Sequence, residues 1–495
     1  MLAADRVFLL RRFFFRYTDP DQALLWYSAR EYAEGFFREP SFPGQSYLSS
    51  GEALLAAPLL RVGVQPYHAL PIASVGLITV PWVLLLLAAW RRKAWLAGLV
   101  IAALPLTLTN EFSMLGGIPH GLTPGIFVAT LAVFFGLAPS KKPAGLLLAG
   151  LLAGLAFGLN QTSALLTAPL VAYLMLGERR APRWLLAGLA LGGGYLVFNQ
   201  YFYSTHPAYR FHPDPKFAYS REALTEAFLH LGRHLGYLGF WFLKSPVVAV
   251  AALALPATAL IASRRRAHAL AGAAAVALPL ASLGLDKAAD GTSSVFFSYT
   301  RLYIALPYLS AVLFVLASEV WAPRWKDRTL LVTALSITVL AVVSFAGRTA
   351  EVGRDVDRAI AVNETFPIIP ADPVPKILEE CRMLSRIVES SSVKLVVYGF
   401  NSTAPYACGT LGYEKFETLN PRYERRTWRL LEERRTQRRQ MLIVGAGNVP
   451  CDIGTEHLSR CDPVPGTDPL AVRASFRQQP VTELLPKIGI DVRNF

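Results

Sequence analysis

The chain has 495 residues, of which 53% are hydrophobic and 17% charged, and its formal net charge is +14. Apolar runs recur through the first two-thirds, and only helices and closed barrels satisfy their backbone groups in lipid. The long Leu/Ala/Val/Gly runs lack barrel alternation, so the expected fold class is an α-helical polytopic membrane protein with room for one modest soluble domain. The positive charge sits in short clusters between apolar runs: Arg91, Arg92 and Lys93; Lys141 and Lys142; Arg179, Arg180 and Arg183; Arg264, Arg265 and Arg266; Arg324, Lys326 and Arg328. Such clusters orient a bundle in a membrane and argue against a nucleic-acid surface.

Residues 1–67 form a first outward segment. Its start, Met1–Tyr17 (MLAADRVFLLRRFFFRY), is too short and too charged to cross a bilayer. Either an anchor helix precedes this sequence, the preferred reading, or the stretch lies along the interface with Phe13–Phe15 embedded. Asp19, Pro20, Asp21 and Gln22 then open an amphipathic helix through Gly35, followed by FPGQSYLSSGEALLAAPLLRVG from Phe42 to Gly63.

Residues 68–347 hold about ten spans, near His68–Trp90, Ala94–Thr109, Leu122–Ala138, Ala144–Leu159, Ser163–Gly177, Trp184–Tyr203, Leu238–Ser263, Ala269–Leu285, Leu302–Trp321 and Thr329–Gly347. Every basic cluster falls in an alternate loop, which assigns those loops to the inside. The others face outward: Asn110–Gly121, a turn at Asn160, Ser204–Tyr237, Asp286–Arg301 and everything beyond Arg348.

Residues 348–495 read as an extracytoplasmic α/β domain. Lys394–Phe400 and Gln440–Val444 are buried-strand patterns, and Pro375–Glu389 is a helix. Arg422–Arg439 is a basic helix with Glu–Arg pairs, a solvated surface or a face toward anionic headgroups. All four cysteines (Cys381, Cys408, Cys451, Cys461) lie here. An even number confined to an outward domain fits disulfides, and without C-x-x-C spacing zinc is the poorer explanation. Pairing is open; Cys451 with Cys461 closes the shortest loop.

Three stretches carry candidate chemistry. They are the Asp19–Gln22 helix entry with its G-Q-x-Y…E-A-x-L-A-A-P-L sequel, Ser113–Gly121 (SMLGGIPHG), and Ser298–Pro307 (SYTRLYIALP). Together they resemble GT-C superfamily membrane glycosyltransferases, more closely the bacterial branch similar to dolichyl-phosphate-mannose protein mannosyltransferases. The resemblance implies inverting transfer of a sugar from a polyprenyl-phosphate donor to an extracytoplasmic acceptor, in the inner or plasma membrane. It implies Asp21 as general base with Asp19 assisting, since a hydroxyl nucleophile needs a carboxylate within hydrogen-bond reach. It places Gln45, Tyr47, Glu52, His120 and Arg301 around the substrate, Arg301 facing the leaving phosphate. The partners are then the lipid-linked donor, the membrane, and a glycan, lipid or protein acceptor.

Each residue also has a plain structural reading. Asp19 before Pro20 is a good helix cap, and Asp21 suits the helix dipole. Ser49 and Glu52 fit a capping box. His120 is a turn residue, and Arg301 a flank reaching the interface. Gln22 stands where many relatives carry Glu, and a K-P-P lysine found in some branches is missing. Arg301, Arg38 or Lys244 would have to supply its charge. Acidic loop residues can hold a divalent cation, but their spacing establishes none. A transporter or flippase of lipid-linked saccharides and a non-catalytic scaffold of the same fold are the alternatives.

Overall fold

The structure, a computed structural model, describes residues 1–139, 142–177, 181–206, 218–285, 304–321, 327–362 and 371–391, with the shorter pieces 395–398, 403, 407–408, 411, 417–419, 440–444, 458–463 and 471–476. A short helix α1 (Leu2–Leu9) continues as a π-helical turn, Leu10–Phe14, into strand β1 (Tyr17–Thr18). Helices α2 (Pro20–Glu34) and α3 (Gly51–Arg61) follow. The bundle comprises α4 (Pro66–Arg91), α5 (Trp95–Thr107), α6 (Asn110–Gly117), α7 (Thr123–Gly136), α8 (Pro143–Leu159), α9 (Ala164–Gly177), α10 (Ala181–Thr205), α11 (Arg221–Tyr237), α12 (Pro246–Ile261), α13 (Arg266–Ser282), α14 (Leu306–Trp321) and α15 (Asp327–Ala361).

Each expected span contains one of these helices. Among the described residues, α4 and the Leu331–Ala361 part of α15 are each long and apolar enough to cross a membrane, and six further apolar helices are shorter. Three local differences have physical causes. Residues 238–245 form turns before α12, because Pro246 suits only a helix start and Trp241 N–H donates to the Thr107 carbonyl at 2.7 Å. Lys244 is therefore outside any helix. The expected loop after Asn110 is mostly helix α6, capped by the Thr109 hydroxyl, which accepts from Phe112 N–H at 3.2 Å. Helix α15 runs through Gly347 and Arg348 without a break.

The reading of Phe13–Phe15 as interface anchors is corrected. Phe13 and Phe14 lie inside the bundle core. The Phe14 ring occupies the space a side chain at Gly117 would need: a Cβ there would sit 2.1 Å from Phe14 Cζ. The N-terminal stretch is also tied down by charge. Buried Asp5 pairs with buried Arg348 of α15. Arg348 further donates to the carbonyls of Pro105 (3.0 Å) and Leu108 (3.2 Å) and to Ser113 Oγ (2.9 Å). These are carbonyls left without helical partners where α5 ends, and a cation suits that end.

Helices α8 and α10 meet through glycine. A Cβ on Gly150 would lie 2.3 Å from the Leu185 carbonyl, and one on Gly192 2.0 Å from the Leu151 carbonyl. Gly154 and Gly188 are equally tight, so two small-xxx-small patterns bring the backbones into contact.

At the far end of the chain, β2 (Asp372–Pro373) leads into α16 (Val374–Ser391), which covers the expected Pro375–Glu389 helix. Strands β3 (Leu395–Tyr398), β4 (Glu417–Leu419), β5 (Gln440–Val444), β6 (Leu458–Pro463) and β7 (Ala471–Phe476) form one sheet in the order β4-β3-β5-β7-β6. β3 runs parallel to β4 and β5, and β7 is antiparallel to β5 and β6. A disulfide joins Cys381 and Cys408. Cys451 and the basic stretch 422–439 lie outside the described residues.

Replacing Gly192 with Val should separate α8 from α10 and cost at least about 2 kcal/mol, read as thermal unfolding in detergent. Ala at Gly193, which faces open space, should unfold close to wild type.

Candidate active site

The N-terminus of α2 organises the site. Asp19 is extended and caps the helix, its Oδ1 accepting from Gln22 N–H at 2.9 Å with Pro20 in the first helical position. Its other oxygen, Oδ2, lies 2.9 Å from Nε2 of His120, and both residues are buried. His120 Nδ1 lies 3.1 Å from the Ile118 carbonyl. Oxygens thus flank both ring nitrogens, which fixes the plane and orientation of the imidazole. The helix cap expected of Asp19 and a pairing with His120 are met by different oxygens of one carboxylate.

Gln22 is buried beside this pair, with Nε2 3.5 Å from Asp19 Oδ2. A glutamate at that position would set a second carboxylate against the first, whereas the amide offers a donor. Asp21 lies on the same helical turn and is partly exposed.

Glu52 does not form the expected capping box, and that reading is corrected. Ser49 Oγ accepts from Gly51 N–H at 3.0 Å, and Ser50 Oγ pairs with the Tyr32 hydroxyl at 2.8 Å. Glu52 turns away instead, its Oε1 accepting from Gly121 N–H (3.1 Å) and Thr123 Oγ1 (2.8 Å). The competing demand of these donors aims it at the loop that carries His120. Burial pushes the Glu52 carboxyl up, with the Thr123 hydrogen bond opposing. Gly121 has φ +76°, and a Cβ there would lie 2.5 Å from the Ser49 carbonyl, so only glycine fits. Ser49 N–H donates to the Gly121 carbonyl at 3.3 Å, closing the first segment onto the second.

Gln45 and Tyr47 lie on the intervening loop, Gln45 buried and Tyr47 partly exposed. Helix α10 holds this loop. Tyr203 donates to Glu39 Oε2 at 2.8 Å, Ser41 Oγ to Asn199 Oδ1 at 2.8 Å, Asn199 Nδ2 to the Ser46 carbonyl, and Tyr195 to the Pro40 carbonyl at 2.8 Å. Burial pushes the Glu39 carboxyl up to about 8, against the hydrogen bonds from Tyr203 and Gly44. The structure thus brings Asp19, His120 and Glu52 together, sets Asp21 on the same helix start, and leaves Arg301 outside the described residues.

Sequence reasoning missed a second polar group. Lys244 Nζ lies 2.6 Å from buried Glu111 Oε1. Beside it, Asn110 Nδ2 donates to Glu351 Oε2 at 3.0 Å, and Trp241 Nε1 donates to the same oxygen. Lys244 stood out as a charge near an apolar run, but Glu111 gave no sign, since its partner is 133 positions away. The adjoining segment walls an apolar cavity of about 280 Å³, lined by Leu108, Leu235, Phe240, Val248, Leu283 and Leu306. Among the described residues, no three His, Cys, Asp or Glu side chains converge as a metal would require.

No sequence family model matches the chain, and no curated protein matches it by sequence. Its three-dimensional likeness is to ArnT from Cupriavidus metallidurans, crystallised with undecaprenyl phosphate. The match has a TM-score of 0.58 at 15% identity and covers 95% of this chain and 96% of that one. The chain shares the fold of that protein along nearly its whole length. The arabinosyltransferase EmbB from Mycobacterium smegmatis also matches, over 73% of this chain and 42% of its own, at 14% identity and a TM-score of 0.32. That likeness is too slight to build on. The shared fold extends over the first segment as well as the bundle, and it assigns no residue a role.

The Glu39 value gives a pH dependence. Because its folded-state value lies above the ordinary 4.5, the associated stability is full below that pH and is lost as pH rises toward 8. Relative to Glu39→Gln, wild type should lose on the order of 4 kcal/mol between about pH 5 and pH 9, read by thermal unfolding of the two proteins side by side.

Proposed function

We propose that the protein is an inverting glycosyltransferase that moves a sugar from a polyprenyl-phosphate donor to an acceptor outside the membrane. The observation that carries this reading is the buried Asp19–His120 contact. It locks two separate loops around the start of α2, at one end of a GT-C bundle. The opposite end supports the same orientation. There Arg92 and Arg265, from two basic loops, converge on Glu319 with His268, as loops on the cytoplasmic side would. The tail domain then lies on the oxidising side, in keeping with its disulfide.

In this reading Asp21 is the base. It is the carboxylate of the pair that keeps solvent access, while Asp19 is committed to the helix cap and to His120. The acceptor hydroxyl gives its proton to Asp21 as its oxygen forms a bond to the anomeric carbon. On the opposite face the carbon–phosphate oxygen bond breaks, and polyprenyl phosphate leaves with the electron pair. Asp19 and His120 fix the helix start, so that the base is placed before substrate arrives. Glu52 fixes the loop that delivers His120, and Gln45 and Tyr47 supply hydrogen bonds to sugar hydroxyls. Arg301 and Lys244 are the cations for the leaving phosphate. The apolar cavity walled by Phe240 and Val248 suits the prenyl chain. The likeness to a structure holding undecaprenyl phosphate supports this donor class.

Purified protein in liposomes with a labelled polyprenyl-phosphate sugar tests the assignment. Asp21→Asn should lower transfer by roughly 100-fold or more while donor binding is kept. Transfer by Asp21→Asn at the wild-type rate would remove Asp21 as the base.

A further inference from the structure

The start of α2 is held from both sides, and the second side is the tail. Strand β1 ends at Thr18, one residue before Asp19, and pairs antiparallel with β2: Tyr17 opposite Pro373 and Thr18 opposite Asp372. Val374 N–H, at the beginning of α16, donates to the Arg16 carbonyl at 2.7 Å. Helix α16 then lays Ile377, Cys381 and Leu384, spaced along one face, into a core that also contains Ala23–Trp26 and Ala29 of α2. Cys408 and Ala407 enter the same core, and Cys408 is bonded to Cys381. Thr403 Oγ1 donates to Asp372 Oδ2 at 2.8 Å, which ties the Cys408 segment back to the ribbon. The disulfide therefore lies in the apolar layer on which α2 rests, and the ribbon runs from that layer to the residue beside Asp19.

We infer that Cys381, Cys408 and Val374 are positioning residues: through the β1–β2 ribbon and α16 they set the start of α2, and with it Asp19 and Asp21. This rests on the reading of the α2 start as the reacting centre, but the physical coupling can be measured without it. The coupling has a direction. Asp19 is fixed laterally by His120 of the bundle, while its position along the chain is fixed by the ribbon, whose anchor is cross-linked at Cys381–Cys408. A protein that never acquires this bond keeps its bundle and loses the register of its site. Formation of the disulfide thus becomes a condition of competence for the membrane domain, beyond its effect on the tail.

The experiment uses the full chain in lipid nanodiscs and follows backbone hydrogen exchange by mass spectrometry. Three proteins are compared: wild type, the Cys381→Ala/Cys408→Ala double variant, and Val374→Pro. The last removes the N–H that donates to Arg16 and exchanges one buried apolar side chain for another, at a first helical position where proline is tolerated. In wild type the peptides should show Cys381 and Cys408 joined. In both variants, exchange over residues 16–34 should quicken by about tenfold or more, with α8 and α10 unchanged as the control for a folded bundle. In Val374→Pro the protection of α16 should persist, which separates loss of coupling from loss of the tail. Where transfer is measurable, kcat should fall while KM for the donor holds.

Unchanged exchange over 16–34 in Val374→Pro would overturn the inference, even if the double variant proved unable to fold. So would free thiols at Cys381 and Cys408 in wild type. Wild-type protein with no transfer activity would count against the proposed function alone, because the exchange result would still decide the coupling.

Discussion

The structure depends on one carboxylate being shared in two directions. Asp19 satisfies an amide at the start of α2 with one oxygen and meets His120 with the other. Burying a carboxyl group is costly unless its oxygens are hydrogen-bonded, and both oxygens of Asp19 have partners. Everything that supplies them must therefore be in place: a proline to begin the helix, a glutamine in place of a second carboxylate, and a histidine delivered by a loop 101 residues away. That loop in turn depends on Glu52 for its backbone and on the positive φ of Gly121. The start of α2 is a junction at which three separate parts of the chain agree.

The bundle beneath is built from weaker and more repetitive forces. Glycine steps let α8 and α10 touch at the backbone, and Arg348 gathers the loose carbonyls at the end of α5 while it neutralises Asp5. Removing either partner of that pair would strand a buried charge, which costs more than the pair itself contributes. The N-terminal stretch is consequently part of the bundle. Its phenylalanines face protein, and its single buried aspartate explains why so charged a segment can be enclosed.

Much of this was legible in the sequence because it is periodic or local. Run length located the helices. The Asp-Pro pair announced the cap of α2, and the strands at Leu395 and Gln440 followed from β-branched runs. The parts that were not legible depend on distant partners. Nothing near Asp19 points to His120, and Glu52 looks like a capping residue until Gly121 is placed beside it. Glu111 and Lys244, or Asp5 and Arg348, are ordinary charges when read one at a time. The Cys381–Cys408 bond could not be chosen from spacing, since it follows from one face of α16 meeting residues near Cys408. Sequence pattern located the elements, and long-range complementarity of polar groups joined them into a site.

The proposed donor for this junction is made of a phosphate and a polyprenyl chain. The most direct measurement is binding of undecaprenyl phosphate and of undecaprenol, which lacks the phosphate, to the purified full-length protein by native mass spectrometry. If that proposal holds, undecaprenyl phosphate should be retained on the protein and undecaprenol lost under the same activation. Equal retention of the two lipids, or retention of neither, would contradict it.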